Sequence, residues 1–78
     1  MPRYFFHVRD GQYLPDLSGT LCESDEQARA QAISAASEMI VQLGARFFDL
    51  RGWQMRVEEE GGRPLFTLYF SGLIVAAE

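Results

Sequence analysis

His7 is the single histidine of the chain and Cys22 its single cysteine, so they are the two obvious candidates for a neutral-pH base or a soft nucleophile. Asp10 follows His7 by three residues and could orient the imidazole for general-base work only if the chain bent sharply between them. Residues three apart in a strand point to opposite faces, so His7 is read as a surface or interface side chain. Cys22 stands just before an expected helix start, where the dipole would favour a thiolate, but neighbouring carboxylates oppose this. It reads better as a small hydrophobe. Glu58, Glu59 and Glu60 could collect a hard cation, yet three acids before Gly61 and Gly62 fit a solvated turn. One cysteine with one histidine falls short of a structural zinc site. The sequence also lacks a phosphate loop, paired cysteines, a zinc-protease helix and a nucleophile elbow. No catalytic residue, cofactor or metal is assigned, and an enzyme is disfavoured.

The elements that would position these groups are readable from spacing. Arg3 to Arg9 is rich in aromatic and β-branched types and ends at the turn former Asp10-Gly11, which predicts a strand. Tyr4, Phe6 and Val8 would share one face of it and Phe5, His7 and Arg9 the other. Gln12 to Gly19, with Pro15, Asp16, Ser18 and Gly19, reads as a loop, and a short strand at about Thr20 to Cys22 would pair back on the first. Ser24-Asp25-Glu26-Gln27 has the form of a capping box, with Gln27 reaching back to the Ser24 amide. Ala28, Ala32, Ala35, Met39 and Leu43 then recur at helical spacing, widened by Ile33, Ala36 and Ile40, so a helix is expected from Asp25 to Leu43, closed by Gly44.

Ala45 to Gly52 has no clear period and is taken as an irregular connection or helical turn. Trp53, Met55 and Val57 alternate with Gln54, Arg56 and Glu58 as in a strand with one buried face. After the turn at Glu59 to Gly62, a return strand from Pro64 to Phe70 would place Phe66, Leu68 and Phe70 on one side and Leu65, Thr67 and Tyr69 on the other.

The chain has 78 residues, 47% of them apolar, which suits one domain spanning 1–78. Its net charge is -4, with eleven acids against seven basic residues, all arginine. No apolar run is long enough for a membrane span and no secretory signal is readable, so a cytoplasmic protein away from membranes is expected. The order strand, strand, helix, strand, strand, with every neighbour antiparallel, gives a two-layer α+β fold. Its four-stranded antiparallel sheet has order 2-1-3-4, with one helix on one face. The expected core is Tyr4, Phe6, Val8, Leu21, Ala28, Ala32, Ala35, Met39, Ile40, Leu43, Trp53, Met55, Val57, Phe66, Leu68 and Phe70.

Met1 to Gly11, then Asp16 to Gly19, the helix containing Ala28, Gly52-Trp53 and the turn at Glu60-Gly61 together resemble a family. Its members are short rhizobial-type alphaproteobacterial proteins opening Met-Pro-Arg-Tyr-Phe-Phe, a domain of unknown function. The resemblance spans nearly the whole chain and is most specific in the first eleven residues. It implies a bacterial, cytoplasmic protein and carries over no catalytic residue.

One helix covers one face of a sheet. The other face would expose Phe5, His7, Leu65, Thr67 and Tyr69, a patch of the kind that meets a partner. A non-catalytic interaction module is therefore expected, homodimeric through this face or bound to another protein. In the alternative arrangement, Phe47, Phe48 and the tail from Leu73 to Val75 fold over the face and leave a monomer. A small ligand-binding protein or enzyme using His7 or Cys22 is the second reading. Single-stranded nucleic-acid binding through Arg3, Arg9, Phe5 and Tyr69 is the third, and the acidic balance and scattered arginines argue against it.

Overall fold

The computed structural model describes residues 1–76 and has two layers. The elements are β1 (Arg3–Arg9), β2 (Tyr13–Leu14), β3 (Thr20–Leu21), α1 (Asp25–Leu43), a 3-10 helix (Gly44–Asp49), β4 (Trp53–Glu59) and β5 (Arg63–Phe70). The antiparallel sheet runs β2-β1-β4-β5, and β3 joins β1 on the same edge as β2. This is the expected α+β fold and strand order, with one refinement. Two short strands at the two ends of β1, pairing Val8 with Leu14 and Tyr4 with Thr20, replace the single second strand. Part of the expected loop, Tyr13–Leu14, is therefore strand. Between the two pieces Pro15 has no amide to donate, and the Asp16 carboxylate takes over by accepting the N–H of Phe6 at 3.1 Å.

The helix begins as its residue types require. Ser24 has extended backbone and its Oγ accepts from the Gln27 amide at 3.1 Å. The Gln27 side chain takes the Glu23 amide, one residue before the Ser24 amide expected for it. Gly44, at φ 58°, ends the helix and donates its N–H to the Ile40 carbonyl.

Ala28, Ala32 and Ala36 are fully buried, so the α1 backbone lies close to the sheet over Val8, Trp53, Met55 and Val57. Trp53 meets the edge of Phe70 with ring centroids 5.6 Å apart. The expected core needs correction at three positions. Leu21 is 50% exposed because its partner is Arg3, on the face away from α1, which leaves Cys22 to turn inward. Met39 is 40% exposed, while its neighbours Ile40 and Leu43 pack against the core. Ala36 takes the buried place while Ala35 is only partly covered.

The pairing of β4 with β5 slips between Val57 and Glu58. Val57 faces Phe66 and Glu58 faces Pro64, so Leu65 has no partner. This bulge turns Leu65 onto the helix side, where it packs against the core near Tyr4, Cys22 and Ala28. The strict alternation that put Leu65 beside Thr67 and Tyr69 fails at this residue. The 3-10 helix contacts α1, and its Phe47 and the following Leu50 pack on the helix-side core. Gly72 passes so close to the Phe48 ring that an added Cβ would lie 2.6 Å from it. Beyond Gly72, Leu73, Ile74 and Val75 are exposed, and the last two tail residues lie outside the described residues. Among the described residues, neither the Phe47 segment nor the tail covers the second sheet face.

Candidate functional site

The residues on the sheet face away from α1 follow from register. Phe5, His7 and Arg9 of β1 stand beside Glu58, Arg56 and Gln54 of β4, which in turn stand beside Pro64, Thr67 and Tyr69 of β5. Tyr13 of β2 joins them opposite Arg9, whose guanidinium lies 5.0 Å over the Tyr13 ring.

His7 is buried, contrary to the expectation of an exposed side chain. The Asp16 amide donates to its Nδ1 at 3.1 Å, so Nδ1 carries the lone pair. Nε2 then bears the hydrogen and donates to Oε1 of Glu58 at 3.0 Å. The ring stacks on Phe5, with centroids 6.3 Å apart, and tilts against Tyr13. Both nitrogens are committed, so neither is free to take a proton from a substrate in this arrangement. Asp10 does not touch His7; its carboxylate accepts from the Gln12 amide in the turn. Asp16 and Glu58 are the partners that residue spacing missed. Glu58 is 51 residues away in sequence, and the amide of Asp16 leaves no trace in residue type.

Asp16 anchors the loop. Burial pushes its carboxyl up, but the amides of Gly19, Phe6 and Ser18 outweigh this and hold it below its ordinary value. Gly19, at φ 74°, lies against Arg3 and Phe5; a Cβ there would be 2.7 Å from Arg3 Cγ.

A second polar cluster closes the opposite end on the helix side. The Tyr4 hydroxyl donates to Asp25 at 2.8 Å, and Arg63 bridges Asp25 and Glu59 at 3.2 and 2.6 Å. Burial, then the bond to Asp25, pushes the Tyr4 hydroxyl up to about 12. The same bond leads the lowering of Asp25, opposed by burial and aided by Arg63. Cys22 is buried beside Tyr4 and Ala28, and burial raises its thiol above the ordinary value. That environment favours the protonated thiol. Strand alternation sends Glu58 to His7 and Glu59 to Arg63, with Glu60 out in the turn, so the three acids do not converge.

Two clefts open near the end of the sheet where β1 finishes and β4 begins. One, of about 570 Å³, is lined by Leu50, Arg51, Trp53, Tyr69 and Phe70. The other, of about 440 Å³, is lined by His7, Tyr13 and Arg56. Arg9 and Gln54 line both. Arg9, Arg51 and Arg56 form no ion pair among the described residues.

One helix on one face of an antiparallel sheet, with its lone histidine tied down and its lone cysteine buried, defines a small two-layer α+β domain. Residues 3–71 match the model of DUF6894, a domain of unknown function, and the chain belongs to this family. No curated protein and no solved structure matches it. No helix among the described residues is long and apolar enough to cross a membrane.

Proposed function

We propose that the protein is a non-catalytic interaction module that pairs with a second copy of itself through the sheet face away from α1. The observation that carries this reading is the uncovered face itself. It presents Tyr13 and Tyr69 among the arginines Arg9 and Arg56, with Tyr69 75% exposed and Phe5 half-buried between His7 and the Gly19 loop. Aromatic residues and arginine are the types enriched at the centres of protein interfaces. Thr67 is only partly covered, His7 forms the floor, and Leu65 has left the patch for the helix side. A domain of this size rarely draws more than about 3–5 kcal/mol from one core, so self-association also adds stability. A two-fold axis over the face would match the patch with itself. The engaged nitrogens of His7 and the buried thiol of Cys22 favour this reading over an enzyme, and the net charge of -4 favours it over a nucleic-acid binder.

Sedimentation of the purified protein tests it. A dimer at micromolar concentration is expected, and Tyr69→Glu and Thr67→Arg should return it to a monomer with unchanged circular dichroism. A monomer throughout that range, with both variants behaving like the parent, would overturn the proposal.

A further inference from the structure

We infer that the paired clefts around Arg9 and Gln54 bind a small amphipathic anion, a ring bearing a carboxylate, sulfonate or phosphate group. The site shares Arg9, Arg56, Tyr13 and Tyr69 with the face proposed to pair, so ligand and second copy would compete for it. The inference rests on how polarity divides between the two clefts. In the larger, Leu50, Tyr69 and Phe70 supply apolar and aromatic surface for a ring. In the smaller, Arg9 and Arg56 stand on one face with His7 below them.

Arg9 faces Gln54 across the ladder, and Arg56 lies two residues beyond Gln54 on the same strand. Such diagonal neighbours lie roughly 7–8 Å apart, close enough for both guanidinium groups to reach one oxyanion. The Arg9 guanidinium lies 5.0 Å over the ring of Tyr13, which lines the same cleft from the β2 side. No carboxylate of the described residues pairs with either arginine. Glu58, the nearest acid along β4 on this face, is bonded to His7. Asp49 and Arg51 flank the larger lobe and offset each other in charge. Gly11 and Gly52 line the larger lobe at φ 103° and 126° and extend no side chain into it.

The size of the ligand follows from two magnitudes. Each lobe falls within the roughly 300–1,000 Å³ typical of small-molecule sites. The positive charge is local in a chain of net charge -4, which suits one anionic group better than a long polyanion.

The probe for the test is 8-anilino-1-naphthalenesulfonate, an aromatic ring system with one anionic group, followed by fluorescence on the intact protein. Saturation at one probe per chain is expected. Arg9→Gln and Arg56→Gln should each weaken binding about tenfold, the scale of one lost charge-assisted bond. Arg29→Gln, on the exposed surface of α1, should leave it unchanged. The uncharged analogue N-phenyl-1-naphthylamine should bind at least about tenfold more weakly. Circular dichroism confirms that each variant is folded, and Arg56, being exposed, can be changed without disturbing the core. Unsaturable binding, equal affinity in folded Arg56→Gln, or equal affinity for the uncharged analogue would overturn the assignment. A monomer in sedimentation that still binds the probe through these arginines would remove the dimer and leave this site intact.

Discussion

Asp16 bonds two successive residues of β1 in opposite senses: its amide donates to Nδ1 of His7 at 3.1 Å and its carboxylate accepts from the N–H of Phe6, also at 3.1 Å. One loop residue thus replaces a strand pairing at the middle of an edge, where β2 has ended and β3 has not begun. It also fixes the form of the imidazole that forms the floor of the open face.

Replacing Asp16 by alanine removes the acceptor for the amides of Phe6, Ser18 and Gly19 together. Bonds to a charged acceptor contribute about 1.5–3 kcal/mol each and are not additive, so a loss of about 2–3 kcal/mol is expected. Asp16→Asn keeps one oxygen and should lose less. Urea unfolding of the two variants gives the ranking, and an Asp16→Ala loss under about 0.5 kcal/mol would refute the anchoring role.

When neutral, the His7 ring should be the Nε2–H tautomer, because Nδ1 accepts from a backbone amide that cannot do otherwise. Long-range nitrogen–proton correlation spectra at neutral pH read this directly. In Asp16→Ala, or in any variant that displaces the loop, the preference should relax towards a mixture.

Stability should fall at both extremes of pH for separate reasons. The Tyr4 hydroxyl is raised from 10.0 to about 12, so the folded chain holds this proton more tightly than the unfolded one. Its contribution is fully present below about pH 10 and is lost as pH rises through 12. Asp16 and Asp25 are lowered, so theirs is present above the ordinary aspartate value of about 3.9 and is lost as pH falls through the depressed native values. Thermal melting against pH gives both limbs. Tyr4→Phe should flatten the alkaline limb, and Asp16→Asn should shrink the acid one.

Gly19→Ala combines a backbone at φ 74° with a Cβ only 2.7 Å from Arg3 Cγ and 3.0 Å from the Phe5 ring. The positive φ alone costs about 1–2 kcal/mol for alanine. A similar change at Gly11, where an added Cβ meets nothing within 4 Å, carries only the backbone cost. Chemical unfolding should therefore rank Gly19→Ala as the more destabilising of the two.

Long periodic segments were legible from residue types alone. The α1 bounds, Asp25–Leu43, follow from the cap at Ser24, the alanine stripe and Gly44, because helix signals are local. The faces of β1 and β4 follow from alternation for the same reason, as does the strand order once every neighbour is antiparallel. Leu65 was not legible, since a bulge is a mismatch between two strands and shows in neither alone. Leu21 and Cys22 exchanged places because a two-residue strand has too few positions for period to select its inward side.

The sequence by itself determined the α+β architecture, the helix, the inward row Trp53, Met55 and Val57, and the family, all properties of short-range pattern or of the whole string. Only the tertiary structure decided that His7 is buried between Asp16 and Glu58, that the Phe47 segment and the described part of the tail leave the second face open, and that Arg9, Arg56 and Gln54 meet beside an apolar cleft. Each depends on residues from different elements arriving at one place. Hydrogen-bond direction and distance select those meetings, and neither is encoded in the type or spacing of the residues involved.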